Sequence, residues 1–388
     1  MPRRGARRGR AAPRGPGARR PPAGRCSRRL RIRRSWLSCV PPGSGGPPWA
    51  ATRRVSAAHG RSLAAPARSG TGTAGFNGAR ARCGRVGGVK IEPPAPGEPR
   101  RPHGPRDPGD AWVVAPDGQR YWGRFGAAGL LACDPGRGVL LQHRVSWSHH
   151  GGTWALPGGA RHQGESALDA ALRESAEEAG VPPAALRPRL MSILDLGIWS
   201  YATLIADVET PFEPVISDQE SVELAWVEPD KVNDLPLHPA FAEAWERLRP
   251  LLRFRPALVV DAANVMGTVP DGWWEDRCAA AERILDSLSR RSGTGIPADL
   301  LGFPEDLWYP AITVVLEGRA RTARDTGGME IIRAEGSGDD AVAGAVRSLR
   351  AEGRTVSVAT SDRALADTCR ALGARVTDAG ELRAWLES

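Results

Sequence analysis

Lysine is almost missing: Lys90 and Lys231 stand against 51 arginines. That bias fits GC-rich coding. Residues 1–90 lack aspartate and glutamate altogether and carry 21 Arg and one Lys, a local charge of +22. Taking these from the 53 basic residues leaves 31 against 44 acidic ones, so the other 298 residues carry −13. The overall +9 belongs to the N-terminal stretch and gives no support to a basic nucleic-acid-binding body. The six cysteines, at 26, 39, 83, 133, 278 and 369, form no CxxC pair, which speaks against a zinc ribbon or a disulfide framework and for a reducing cytoplasm. No run of about 18 apolar residues occurs, so no membrane-spanning helix is expected. Nor does an apolar stretch follow the first arginines, as a secretory signal requires.

What the N-terminal stretch has is Arg, Pro, Gly and Ala without apolar periodicity. Residues 1–105 are therefore expected to be a disordered tail, unable to bury enough surface to offset ordering entropy. An arginine-rich arm could contact RNA or DNA phosphates. The acid-free composition also suits a transit peptide, although the stretch is long for one. The abrupt change of charge near Lys90 favours a third reading, an over-extended translation start. Beyond the tail, the chain is long enough for two domains with sizeable cores.

From Asp110 short apolar runs alternate with turns. Trp112–Val114, Gly129–Cys133, Val139–His143, Trp154–Leu156, Trp199–Val208 and Val222–Val227 read as strands, and Pro239–Leu252 as a closing helix. Between them Ser166 and Asp169 form a capping pattern, and Gly180 with Pro182 stops the helix so begun. Leu168, Ala171, Leu172, Ser175 and Ala179 share one stripe and face a core, while Glu174, Glu177 and Glu178 share the opposite face. Carboxylates so close repel one another, and a hard divalent cation, Mg²⁺ or Mn²⁺, is the natural counter-charge.

The segment GARHQGESALDAALRESAEEAGV, residues 159–181, resembles the Nudix box at every fixed position: Gly159, Glu165, Arg173-Glu174, Glu177-Glu178 and Gly180. Its one departure is Ser175, where the family usually carries an apolar residue. The resemblance covers roughly residues 110–252. It implies a mixed α/β/α sandwich and metal-dependent cleavage of a diphosphate linkage in a nucleoside-diphosphate derivative. It also implies Gly159, Glu174, Glu177 and Glu178 as the metal-site residues, with Glu174 a ligand or water-orienting base. Arg173 would hold Glu165 and brace the loop-to-helix turn. Family members often recruit a further acid beyond the box. Glu220 or Glu223 could serve, although a strand-edge charge explains Glu223 as well. His149 and His150 are loop residues near the site mouth, and His150 is carried as a substrate contact.

After Pro256 a second pattern begins. Apolar runs at Ala257–Asp261, Ile312–Leu316, Met329–Arg333 and Thr355–Ala359 alternate with helical stretches at Asp276–Arg290, Asp340–Arg350 and Arg363–Leu372. This predicts a doubly wound parallel sheet, whose ligands sit beyond the carboxyl ends of the strands. Acids fall at those ends: Asp261, Glu317, the pair Asp339-Asp340, and Asp362. Read singly, Asp340 and Asp362 only cap helices; read together, the acids form a cluster suited to one or two divalent cations. VVDAANVMG, GSGDDAV and ATSDRAL resemble the PIN-like nucleases, in particular their NYN branch, over residues 257–388. That resemblance implies Asp261, Asp339, Asp340 and Asp362 as metal-site residues, Asn264 as a substrate contact, and Glu317 as a further acid. Trp273-Trp274 could stack on bases or pack on their own domain, and Arg319, Arg321 and Arg324 could grip phosphates or stand solvated.

The expectation is thus a cytoplasmic, Mg²⁺- or Mn²⁺-dependent hydrolase of a nucleoside-diphosphate-linked small molecule, with an appended nuclease or RNA-binding domain. Two alternatives stay open. One is a ribonuclease whose first domain processes or recognises RNA 5′ phosphates. The other is a nucleotide sensor without turnover.

Overall fold

The computed structural model describes residues 88–94 and 107–388. Most of the tail reading therefore lies outside the described residues. A small sheet comes first: Lys90–Glu92 (β1) pairs antiparallel with Trp112–Val114 (β2), and β2 with Arg120–Trp122 (β3). β1 corrects the assignment of residues 90–92 to an unstructured tail. Its three side chains are exposed, and its pairing needs only the backbone groups offered by the edge of β2.

The main sheet contains Ala127–Asp134 (β4), Gly138–Arg144 (β5), Trp154–Ala155 (β6), Gly158–Ala160 (β7), Leu186–Asp195 (β8), Ser200–Val208 (β9) and Ser221–Val227 (β10). Helix Ala167–Ala179 (α1) lies between β7 and β8, and Pro239–Leu248 (α2) follows β10. The strand order is β10-β5-β4-β9-β8, with β6 on β5 and β7 on β4. Only β4 and β9 run parallel, so the sheet is mixed. β4 (AAGLLACD) is central, and its period-2 alternation divides its side chains between two cores. Leu130 and Ala132 join Ala170, Ala171 and Ala179 of α1, while Leu131 joins Phe241, Trp245 and Leu248 of α2. The helix expected over 239–252 is α-helical only to Leu248; Pro250 cannot donate the next i→i−4 bond, and Arg249–Arg253 turns as a 3₁₀ helix. Trp245 is fully buried, so Trp245→Ala should cost about 3–5 kcal/mol in denaturant unfolding.

The C-terminal part holds Pro256–Asp261 (β11), Ala262–Gly267 (α3), Arg277–Ser292 (α4), Ile296–Pro297 (β12), Ala298–Leu301 (α5), Leu307–Trp308 (β13), Ala311–Leu316 (β14), Glu330–Arg333 (β15), Gly338–Ala351 (α6), Thr355–Ala359 (β16), Arg363–Ala371 (α7), Arg375–Thr377 (β17) and Ala379–Glu387 (α8). Five strands make an all-parallel sheet in the order β15-β14-β11-β16-β17. Alternation again divides its faces. Ala257 and Val259 pack with Val342, Val346 and Leu365 of α6 and α7; Leu258 and Val260 pack with Met266, Ile284 and Leu382 of α3, α4 and α8. The helix-covered parallel sheet is the arrangement the sequence predicts.

The hairpin of β12 and β13 extends the main sheet by pairing β13 with β8. Beside it the Ile193 N–H donates to Asp306 Oδ2 at 2.6 Å, and Ser192 Oγ donates to Glu305 Oε2 at 2.7 Å. One apolar cluster runs from Leu131 and Trp245 to Leu258 and Leu382. Residues 110–252 and 257–388 thus share a continuous core. None of the described helices is long and apolar enough to cross a membrane.

Candidate active site

The site is assembled where β7 leads into α1. Ser166 caps α1, its Oγ accepting from the Asp169 N–H at 3.0 Å. Gly180 ends it in the left-handed conformation at φ 61°, which glycine adopts without steric cost. Ser175, the unusual residue of the segment, is fully buried, and its hydroxyl donates to Leu172 O at 3.0 Å. A polar group on the core stripe is thereby satisfied by its own helix.

Arg173 organises the turn. Its Nε and Nη2 donate to the two oxygens of Glu165 at 2.7 and 2.8 Å, and Nη2 also reaches Ala160 O at 3.0 Å. Nη1 donates to Glu174 Oε1 at 3.0 Å and Glu177 Oε2 at 3.3 Å. Glu165 accepts the His162 N–H at 2.8 Å as well. Burial pushes the Glu165 carboxyl up, but Arg173 and the His162 amide outweigh it and hold it below its usual range. The two-pronged pair locks loop 161–165 onto the helix.

The three helix carboxylates divide differently from the expectation of one common face. Glu174 and Glu178 are buried toward β4 and β7, while Glu177 stays about half exposed at the border. The reason is the glycine strand β7. A Cβ on Gly159 would lie 2.8 Å from the Glu174 carboxylate, and Glu178 Oε2 accepts the Gly158 N–H at 2.8 Å. Backbone without side chains lets two carboxylates press against it. Gly159→Ala should therefore displace Glu174 and lower kcat more than it raises KM in steady-state assays.

Burial raises the Glu178 carboxyl well above its ordinary value. The Glu174 charge adds to this, the Gly158 amide opposes it, and Asp218 and Glu220 raise it further. Asp218 is an acid that sequence reasoning missed, although Asp218-Gln219-Glu220 before β10 was the available signal. Glu220 belongs with this group and ion-pairs with Arg144 at 3.8 Å. Glu223 is exposed on β10 opposite His143. His149 and His150 lie on the β5–β6 turn with their rings against each other, and His150 also faces His238, which the sequence did not suggest. An all-oxygen set of donors whose charges raise one buried carboxyl fits a hard divalent cation.

A second acid group gathers at the carboxyl edge of the parallel sheet. Asp261 ends β11, accepts Thr360 Oγ1 at 3.0 Å, and caps α3 by accepting the Asn264 N–H at 3.1 Å. Asn264 Nδ2 also donates to Asp261 at 2.7 Å, so that amide holds the acid in place. Glu317 accepts the Gly338 N–H at 3.0 Å, and Asp362 caps α7 through the Leu365 N–H at 2.8 Å. Ser337, not Asp340, caps α6. Burial first, and then the charges of Asp362, Asp261, Glu317 and Asp340, raise the Asp339 carboxyl. Asp261, Glu317, Asp340 and Asp362 thus lie close enough to Asp339 to act on its charge. Trp273 packs on the core while Trp274 is exposed, and Arg321 bonds to Gly318 O and Ala334 O in its own neighbourhood.

The NUDIX domain family model matches residues 123–248. A protein of Mycobacterium tuberculosis named "Putative 8-oxo-dGTP diphosphatase 3" is 48% identical over 154 residues, 37% of this chain and 70% of that protein. A nucleoside triphosphate pyrophosphatase/Nudix hydrolase fusion protein of Bifidobacterium longum is 42% identical over 149 residues, covering 36% of this chain and 31% of its own length. Among solved structures, a Nudix hydrolase from M. smegmatis is 50% identical, covers 37% of this chain and 95% of its own, and superposes with a TM-score of 0.35.

Proposed function

The chain belongs to the Nudix hydrolase family, and on that premise we propose that it cleaves the diphosphate linkage of a nucleoside-diphosphate derivative with Mg²⁺ or Mn²⁺. The observation that carries this reading is the acid set on α1: Glu174 and Glu178 pressed onto β7, Glu177 beside them, and Arg173 binding Glu165, Glu174 and Glu177 at once. Glu174, Glu177 and Glu178, with the Gly159 backbone and Glu220, would hold the cation. When bound, the cation supplies Lewis-acid stabilisation of charge on the diphosphate and makes water more acidic. Arg173 fixes the loop and the direction of Glu174, which serves as a ligand or orients water. Glu178 is held where its charge is costly unless a cation offsets it. The name of the M. tuberculosis relative supports an oxidised purine nucleoside triphosphate as the first substrate to test.

The test incubates the full chain with Mg²⁺ or Mn²⁺ against 8-oxo-dGTP, dinucleoside polyphosphates, nucleotide sugars, ADP-ribose and 5′-triphosphate RNA, with chromatography of the products. Phosphorylated products that disappear in Glu177→Gln support the reading, and products that survive in that variant defeat it.

A second reading concerns residues 257–388. The gathering of Asp261, Glu317, Asp339, Asp340 and Asp362 favours a PIN-like site of the NYN type, a metal-dependent nuclease or RNA-binding centre, with Asn264 positioning Asp261. Shortened RNA that is lost in Asp261→Asn would establish it; no RNA turnover and no RNA binding with either metal would dismiss it. The proposed compartment is the cytoplasm, on the cysteine usage alone.

A further inference from the structure

Three imidazoles meet beside the β5–β6 turn. His149 and His150 stand on this turn, which closes through the Gly152 N–H donating to Arg144 O at 3.0 Å. The segment before α2 is fastened alongside: the Trp154 N–H donates to Pro236 O, and the His238 N–H to Trp154 O, each at 2.8 Å. His150 takes a left-handed backbone at φ 54°, a region histidine enters more readily than most side chains. Thr153 Oγ1 holds that conformation by donating to the His150 carbonyl at 2.6 Å. Ring centroids are 4.2 Å apart for His149 and His150, 4.7 Å for His150 and His238, and 6.3 Å for His149 and His238. One ring nitrogen from each histidine lies within 4.8 Å of the other two.

We propose that His149, His150 and His238 form a second cation site, which takes a borderline transition-metal ion such as Zn²⁺ and ties the β5–β6 turn to the start of α2. Nitrogen-only donors select zinc, copper, nickel or cobalt, whereas Mg²⁺ and Mn²⁺ prefer the oxygens of the carboxylate site. Tetrahedral zinc with Zn–N bonds of about 2.05 Å needs ring nitrogens roughly 3.3 Å apart. His149 and His150 stand on an exposed turn, and three protein ligands leave a fourth position open.

Burial, His150 and Arg144 hold His149 below its usual value, with Arg120 adding to this, and burial with His150, Arg144 and His149 brings His238 down to about 4. Arg144 and Arg120 would oppose an ion here, and the pairing of Arg144 with Glu220 draws off part of that charge. One contact must yield. His238 Nδ1 accepts the Ala240 N–H at 3.2 Å, and binding through either ring nitrogen competes with that long bond.

The experiment strips the full chain of metal, restores excess Mg²⁺, and titrates Zn²⁺ by calorimetry, with Co²⁺ as a visible-absorption probe. His149→Ala, His150→Asn and His238→Asn are compared with the wild type. Asparagine tolerates the left-handed backbone at 150 and still caps α2 at 238, so both variants should fold. The wild type should bind one more Zn²⁺ than each variant, or bind it over ~100-fold more tightly, beyond what changes around a ligand usually cost. The visible band of nitrogen-ligated Co²⁺ should vanish with it. Cysteines and acids are common to all four proteins, so Zn²⁺ held there cancels. Equal stoichiometry and affinity in the variants, or no uptake by the wild type, overturns the site. Because the readout is metal binding rather than hydrolysis, its failure leaves the proposed catalytic reading untouched.

Discussion

Glu177→Gln should lower hydrolytic turnover by roughly 10²–10³-fold while thermal unfolding stays within a degree or so of the wild type. The two halves of this expectation have separate causes. Glu177 keeps about half of its side chain in solvent, where it pairs with Arg173 at 3.3 Å. An exposed pair of that kind contributes about 0–1 kcal/mol, and Arg173 retains Glu165, Glu174 and Ala160 O as partners. The fold thus loses little. The site loses one negative charge and one oxygen donor that glutamine replaces poorly for a hard cation. If the loss lies in cation binding, raising Mg²⁺ should restore part of the rate. Steady-state kinetics across a Mg²⁺ series, with melting followed by circular dichroism, measures both halves. Unchanged turnover would remove Glu177 from the mechanism, and a collapsed melting transition would make its role structural.

The helix that carries this chemistry was legible because its signals are local. Ser166, Gly180 and the acid spacing all lie within a few turns, and the structure returns Ala167–Ala179 between them. The parallel sheet was legible for a similar reason, since ALVVD, AITVVL and TVSVA are buried on both faces and read as unbroken apolar runs. What escaped depends on partners distant in sequence. β8 (LRPRLMSILD) hides behind Pro188 and two arginines. Its register shifts between Pro188 and Leu190 in pairing with β9, and the buried Arg189 is matched by Asp207 at 2.9 Å. No periodicity announces a strand whose buried cation is neutralised by its neighbour. The two-residue strands β12 and β13 are too short to show a period, yet they join the C-terminal part to the main sheet. The burial of Glu174 and Glu178 was also hidden. Helical spacing places them on one face, and only the side-chain-free approach of β7 decides that this face is turned inward.

Glu178→Gln should abolish hydrolysis and yet stabilise the metal-free protein at alkaline pH. The Glu178 carboxyl is raised by burial, by Glu174, and by Asp218 and Glu220, against the single opposing amide of Gly158. A carboxyl whose folded pKa exceeds its unfolded value binds its proton more tightly in the native state. Its contribution to stability is then complete below about 4.5, the ordinary value, and is lost as pH rises through the folded pKa. Each unit of that elevation is worth about 1.4 kcal/mol at pH values above both. Glutamine keeps an oxygen to accept the Gly158 N–H and carries no charge, so the penalty disappears while the packing remains. Metal-free Glu178→Gln should therefore melt above the wild type at pH 8, with the gap closing as pH falls toward 4.5. The neutral histidines His149 and His238 lose stability in the opposite sense as pH falls, but they are common to both proteins and cancel in the difference. Adding Mg²⁺ should raise the melting point of the wild type by ligand linkage and leave the variant nearly unmoved, narrowing or reversing the gap. Melting curves at pH 5 and pH 8, with and without Mg²⁺, make the comparison. A metal-free variant no more stable than the wild type at pH 8 would mean that Glu178 carries no such strain. A variant that gained stability and kept its turnover would separate that strain from catalysis.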